Sequence, residues 1–196
     1  MVRDMGKKKP QVTPGYGREP KVTPPLKLDL GCGPNKKEGF LGVDTLPFDG
    51  KVDIIHDLKK TPWPWKTDSV DEVYSSHFLE HLTGSERVPF FNELWRVMKM
   101  GSNAFIVVPS WTSERAYGDP THQWPPVCGF AFYYLHKGWR DGNAPHVGLT
   151  CNFDFSGGNG LAAPWNTRNQ ETQAFAQTHY VNVAQDMFVT LTKREL

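Results

Sequence analysis

In this 196-residue chain the run Leu28-Asp29-Leu30-Gly31-Cys32-Gly33-Pro34-Asn35 has the residue types that most directly imply chemistry. It is an apolar stretch carrying one carboxylate, ending in two glycines that flank a small residue. Glycine at such a place lets the backbone turn sharply and meet a ligand with no Cβ in the way. Eleven residues after Gly33, Asp44 closes a second apolar run, Phe40 to Asp44. A carboxylate so placed can accept hydrogen bonds from both hydroxyls of a ribose, and the two runs together describe a nucleoside pocket. A dinucleotide site would need G-x-G-x-x-G and an acid about 20 residues further on, which this sequence lacks. Asp29 is costly to bury inside an apolar strand, so it requires a specific partner.

Two further groups carry ionisable chemistry. His77-Phe78-Leu79-Glu80-His81 fits H-x-x-E-H, in which histidines four apart share one helix face and can hold zinc. The segment directly follows a strand-like run and no third ligand stands out downstream, so no metal is expected. Asp119-Pro120-Thr121-His122 lies in an aromatic stretch, where an imidazole of ordinary pKa near ~6.5 suits a general base acting on an acceptor N–H or O–H.

The elements that must position these residues begin near Leu26. Short β-like runs occur at Leu26 to Leu30, Phe40 to Asp44, Val52 to Asp57, Val70 to Ser75 and Ala104 to Val108. Most are continuous apolar runs, as in parallel strands buried on both faces. Only nine residues, Gly31 to Gly39, separate the first two, too few for a crossover with a full helix, so the first helix is reduced to a turn. Ser85 to Lys99 repeats Val88, Phe91, Leu94, Trp95 and Met98 at helical spacing, with Gly101 as a stop signal. The later chain predicts a strand Thr150 to Phe155, a turn at Gly157-Gly158, a helix Gln170 to Thr178 and a last strand Phe188 to Leu191. Between them, an insert spanning about residues 111–146 is crowded with aromatics and broken by Pro120 and Pro125-Pro126, which suits a substrate lid or a satellite core.

Composition narrows the class. With 38% hydrophobic and 22% charged residues, 18 Gly and 16 Pro, the chain is neither collagenous, coiled-coil nor wholly disordered. No apolar run approaches a membrane span, and the N-terminus has no apolar signal core. Cys32, Cys128 and Cys151 lie far apart without a C-x-x-C pair, which fits a reducing, cytoplasmic setting. Residues 1 to 27 hold seven Lys/Arg against two Asp/Glu, leaving 15 basic and 19 acidic residues beyond. Residues 1–25 therefore read as a flexible basic tail, and 26–196 as one domain with an acidic body. That charge disfavours a broad phosphate-gripping face, though the tail could touch nucleic acid weakly.

Taken in order, LDLGCGPN, GVD, HDL, DEVYSSHFLEHL, ELWRVMKMGS and AFIVVP resemble a class I S-adenosylmethionine-dependent methyltransferase over about residues 26 to 110. The resemblance implies an α/β, Rossmann-like, seven-stranded, mostly parallel sheet of order 3-2-1-4-5-7-6, its seventh strand antiparallel, with helices on both faces. It implies S-adenosyl-L-methionine as cofactor. Asp29, Leu30, Gly31, Cys32 and Gly33 would hold its methionine end, and Asn35 stands where many relatives have a third glycine. Asp44 would hold the ribose, Asp57 and Leu58 the adenine, and Ser75, Ser76 and His77 would face the methionine and methyl. His77 and His122 are the candidate catalytic residues; Trp111, Tyr117 and Trp124 are the candidate substrate wall. In such enzymes the H-x-x-E-H string resembles a pocket-lining turn rather than a metal site. A small-molecule acceptor is favoured, with a nucleic-acid acceptor, or a cofactor-binding module without turnover, as the alternatives.

Overall fold

The computed structural model describes residues 24–196; except for Pro24 and Pro25, the predicted tail lies outside them. Seven strands form one sheet: β1 (Lys27–Leu30), β2 (Leu41–Asp44), β3 (Ile54–Ile55), β4 (Val70–Ser76), β5 (Met98–Pro109), β6 (Phe153–Leu161) and β7 (Ala184–Lys193). Their order is 3-2-1-4-5-7-6, as predicted. β1 to β5 pair in parallel, and β7 runs antiparallel to both β5 and β6. Among the described residues no helix is long and apolar enough to cross a membrane.

The connections are uneven. β1 to β2 is a turn, β2 to β3 carries one 3-10 turn at Phe48–Gly50, and β3 to β4 has no α-helix. Helices begin with α1 (Gly84–Val97), between β4 and β5, followed by α2 (Arg115–Gly118), α3 (Lys137–Asn143) and α4 (Gln170–His179). In a parallel sheet the crossovers supply the cover, so strands joined by bare loops stay exposed on one side. Burial accordingly alternates along β4 and β7, which corrects the expectation of strands buried on both faces. Leu28, Leu30, Val73, Ile106, Val108, Val189 and Leu191 lie in the core. Neighbouring positions put Tyr74, Phe105 and Phe188 in a ladder, with ring centroids 5.8 and 6.2 Å apart and the Lys37 ammonium 4.3 Å from the Tyr74 ring.

Three boundaries move for local reasons. β3 keeps only Ile54–Ile55 because β2 offers it just Val43 and Asp44 as partners, and the chain then turns at Asp57, whose carbonyl accepts from Lys60 N–H. Gly157-Gly158 lies inside β6, not in a turn: glycine is needed because a Cβ at Gly157 would strike the Phe188 carbonyl across the pair. α1 starts where Thr83 and Glu86 form a reciprocal capping box. It buries Phe91 and Leu94 of the predicted stripe together with Phe90 and Val97, with Met98 buried just beyond it and Trp95 packed against the core, while Val88 is only half-buried. Gly101 (φ +74°) does not stop that helix but kinks the start of β5, where the pairing with β4 slips between Val70 and Glu72.

α1 also fixes the loop after β3. Glu93 accepts from Trp63 N–H at 2.6 Å and from Arg96, whose guanidinium donates to the Trp63 and Trp65 carbonyls. Trp63 is buried and donates its indole N–H to the Leu58 carbonyl at 3.0 Å. The Arg96 hydrogen bond and then Trp63 N–H hold the Glu93 carboxyl below its ordinary 4.5. A depressed folded pKa adds stability above the unfolded value that is lost as pH falls through the folded one. Chemical denaturation from pH 7 to 3 should therefore find Glu93→Gln less stable than wild type at pH 7, with the gap closing below about pH 4.5. A gap that persists unchanged to pH 3 would refute this account of the loop anchor.

Candidate functional site

The glycine turn and Asp44 meet at the carboxyl ends of β1 and β2. Val43 carbonyl accepts from Gly31 N–H (2.8 Å) and Cys32 N–H (3.2 Å), so the turn doubles back onto β2. Gly33 N–H then donates to the Asp44 carboxylate at 2.9 Å, and Thr45 N–H donates to its other oxygen at 2.7 Å. The Thr45 hydroxyl (3.3 Å) and Leu46 N–H (3.4 Å) also donate to Oδ1, so that oxygen is fully used, while among the described residues Oδ2 accepts only from Gly33 N–H and keeps one acceptor site. Gly31 (φ +70°) and Gly33 (φ +52°) both adopt left-handed backbone, for different steric reasons. A Cβ at Gly31 would collide with the Phe78 ring, whereas Gly33 has nothing within 4 Å and leaves its backbone open to a ligand.

Asp29 is 2% exposed and accepts from Lys37 N–H at 2.7 Å, which is the partner its burial required. Burial raises its pKa, opposed by that hydrogen bond. Cys32, between the glycines, has its thiol pushed up to about 11, by burial first and then by the charges of Asp29 and Asp44. The crevice is thus acidic, an environment suited to a cationic ligand.

The remaining residues expected around a cofactor divide. Leu30 is buried, and Asn35 donates its backbone N–H to the Cys32 carbonyl within the turn. Asp57 caps its own turn by accepting from Lys59 N–H at 3.1 Å, and Leu58 beside it is buried. Ser75 is 1% exposed and donates to the Leu30 carbonyl at 2.9 Å, so its hydroxyl braces β4 against β1 instead of facing the crevice. Ser76 is half-buried at the strand end, and His77 follows it with φ +53°.

That positive φ breaks the helix that H-x-x-E-H presupposes. Leu79–His81 is a single 3-10 turn, so His77 and His81 do not share a helix face. His77 Nδ1 instead lies 3.2 Å from Glu80 Oε1, a contact that raises the His77 pKa against the opposing effect of burial, with help from Asp186. His122 is brought beside this turn, its ring 4.9 Å from that of His81 and its Nε2 4.0 Å from Glu80 Oε1. One ligand atom from each of Glu80, His81 and His122 lies within 4.8 Å of the others. Sequence spacing concealed this grouping because 40 residues separate His81 from Thr121, the hydroxyl it contacts at 3.0 Å. Arg115, paired to Asp186 at 2.9 Å, also lines this cleft and had no motif to mark it.

Trp111, Tyr117 and Trp124 line one cavity of about 620 Å³ with Pro125, Phe130 and Met187. Trp111 lies just past β5, and Tyr117 donates its hydroxyl to the Trp111 carbonyl at 2.9 Å. Trp124 is 78% exposed at the rim. The aromatic insert is partly core as well, since Phe132 and Leu135 are buried.

Two outcomes follow from the glycine turn. Gly31→Ala should destabilise the fold by about 1–3 kcal/mol more than Gly33→Ala, because only the former overpacks Phe78; equal thermal shifts would refute it. With Cys32 and Cys151 buried and both thiols pushed up to about 11, a disulfide reagent at pH 8 should label Cys128 rapidly and the other two slowly. Fast labelling of Cys32 by mass spectrometry would contradict the acidic, closed turn.

The sequence matches no model of a known protein family and no curated protein. Solved structures do match. A SAM-dependent methyltransferase from Archaeoglobus fulgidus is 22% identical with a TM-score of 0.63, over 86% of each chain. One from Methanosarcina mazei is 14% identical with a TM-score of 0.53, over 86% of this chain and 92% of that one. One from Mesorhizobium loti is 17% identical with a TM-score of 0.50, over 89% and 94%. Strand order, strand direction and these likenesses agree: the chain has the class I S-adenosylmethionine-dependent methyltransferase fold.

Proposed function

We propose that this chain is an S-adenosylmethionine-dependent methyltransferase acting on a small organic acceptor. The observation that carries the proposal is the Asp44 carboxylate, tied to Gly33 N–H across the mouths of adjacent parallel strands, whose Oδ2 accepts from that N–H alone among the described residues. The residues fit the cofactor: the backbone at Gly33 is unobstructed, the crevice is acidic, and the sheet order is that of the fold. When bound, S-adenosylmethionine supplies a methyl group already activated on a sulfonium, so the protein's task is mainly alignment in a dry pocket.

Each part of the chain then has a role. Asp44 accepts from the ribose hydroxyls, and Gly31 to Gly33 with Asn35 frame the methionine arm. Asp29 acts by shaping this turn through Lys37. Asp57 and Leu58 border the adenine, held in place by Trp63. Ser76, the last residue of β4, and His77 after it face the reacting end. The aromatic cavity of about 620 Å³ lies within the usual size of a small-molecule pocket. Its indole and phenol faces can also favour positive charge near the sulfonium. The acidic balance beyond residue 27 supports a small acceptor over a nucleic acid. His122 is the candidate base where the acceptor starts protonated, since its Nδ1 is engaged by the Ala116 carbonyl at 3.2 Å and Nε2 is left to act.

Calorimetry with S-adenosylmethionine and S-adenosylhomocysteine tests the cofactor. Binding should weaken about 10–100-fold in Asp44→Ala, the worth of hydrogen bonds to a charged group, with the circular dichroism spectrum unchanged. No heat from wild type at high micromolar ligand would overturn the proposal. Incorporation of labelled methyl across acceptor libraries tests turnover, and binding without any product would reduce the function to cofactor recognition.

A further inference from the structure

We infer that Glu80, His81 and His122 form a binding site for a divalent transition-metal ion, open to the cleft beside the reacting end. Glu80 is 4% exposed, yet its Oε2 is buried without a hydrogen-bond partner, while Oε1 lies between His77 Nδ1 (3.2 Å) and His122 Nε2 (4.0 Å). A buried carboxylate oxygen left bare is costly, and a cation is one way to compensate it.

The two imidazoles are oriented as ligands are. His122 is 10% exposed in its side chain and spends Nδ1–H on the Ala116 carbonyl at 3.2 Å, which leaves a lone pair on Nε2, toward Glu80. For His81 the same result follows through Thr121. The Thr121 hydroxyl has one proton, and the Asp119 carboxylate at 2.6 Å can only accept it, so Thr121 accepts from His81 Nδ1–H at 3.0 Å. Both rings thus have Nδ1–H fixed by an oxygen partner and Nε2 free, the outer-shell pattern typical of metal-ligating histidine.

Distances and ligand type define the ion. The three ligand atoms lie within 4.8 Å of one another. Tetrahedral donors about 2.1 Å from a metal stand roughly 3.4 Å apart, so the Glu80–His122 separation would close by about 0.6 Å, within reach of side-chain rotation. Two imidazoles with one carboxylate suit zinc, cobalt or manganese better than the all-oxygen preference of magnesium or calcium. Three protein ligands leave a position open to the cleft of about 370 Å³ that His77, Arg115 and Asp119 also line. An oxygen of the acceptor could occupy it, so that the bound ion orients the acceptor and takes the His122 Nε2 lone pair in place of the base role given above; this role rests on the methyltransferase proposal, but binding of the ion does not.

A competing account assigns Glu80 to Arg87 alone. The Arg87 guanidinium is close enough for the two charges to interact, and its Nε and Nη2 are buried without partners. No hydrogen bond joins it to Glu80, however, and it leaves the common orientation of His81 and His122 without a purpose.

The test uses the full chain without an affinity tag, stripped with chelator and titrated calorimetrically with Zn²⁺, Co²⁺ and Mg²⁺, with S-adenosylhomocysteine binding measured on the same samples. Expected are one Zn²⁺ or Co²⁺ per chain, visible Co²⁺ bands of a nitrogen-ligated four- or five-coordinate ion, and far weaker Mg²⁺ binding. Affinity for Zn²⁺ should fall at least tenfold in both His122→Ala and His81→Gln, while wild-type Co²⁺ bands provide the readout should either variant misfold. No stoichiometric Zn²⁺ or Co²⁺ binding to wild type, or affinities unchanged in both variants, would overturn the inference and leave Glu80 to Arg87. Metal binding without nucleoside binding would uphold the site and sink the methyltransferase proposal; the reverse would do the opposite.

Discussion

The 2.9 Å hydrogen bond from Gly33 N–H to the Asp44 carboxylate joins the ends of β1 and β2, and the crevice takes its shape from it. That bond can form only because the first connection is a turn. A full helix between the strands would carry the chain away from the sheet before returning it, whereas here two left-handed glycines fold it back at once onto the Val43 carbonyl. Asp44 is therefore held by the loop it faces. A ligand hydroxyl arriving there would meet a carboxylate already oriented, which lowers the ordering cost of binding.

The shortened connections have a second consequence. The first three crossovers bring no α-helix to the sheet, so side chains and loops supply the cover beside β1 to β3. The Tyr74, Phe105 and Phe188 ladder continues that cover across β4, β5 and β7, and Lys37 lies over it. Lys37 is also the residue whose N–H satisfies Asp29 on that side of β1. One short loop thus supplies the ring-capping cation, the partner of a buried acid and the exit from the glycine turn. The other face packs conventionally beneath α1, whose Glu93 and Arg96 reach down to immobilise the Trp63 loop. The two sides of the crevice are in this way secured by different means, a tight turn at β1 and β2 and a helix-anchored loop after β3.

The meeting of the glycine turn and Asp44 was legible in the sequence from local signals, an apolar run ended by glycines and a second ended by an acid, whereas the sheet order came only from the family resemblance that the ordered motifs carry. β6 was legible only in part. Glycines at 157 and 158 normally punctuate a chain, and the reason they lie in a strand, the Phe188 carbonyl opposite, comes from a residue 31 positions away. Ser75 and Asp57 show a different limit. Their positions at strand ends were readable, but whether a hydroxyl faces a crevice or braces a neighbouring strand depends on which side of β4 is buried. The histidine motif was misleading in its geometry: periodicity assumes a helix, and the left-handed backbone at His77 prevents one. What replaced it was a contact with residue 122, set by how the chain returns after β5.

The electrostatic division of this region bears on what an acceptor must be. Around the glycine turn, burial first and then the charges of Asp29 and Asp44 push the Cys32 thiol up to about 11. The aromatic cavity past β5 has little charge of its own, with Trp111, Tyr117, Trp124 and Phe130 as its walls. A third group of residues, His77, His81 and His122, stands with Glu80, Asp119 and Asp186 about them. A molecule spanning from the cavity to the reacting end would leave its apolar part among the indoles and bring a polar atom to the imidazoles. On the proposed reading, an acceptor apolar throughout would offer the imidazoles no polar atom, and one highly charged throughout would gain little from the aromatic walls. If the proposed methyl transfer holds, an amphipathic acceptor, with an oxygen or nitrogen at one end of a mostly apolar frame, would satisfy both constraints at once.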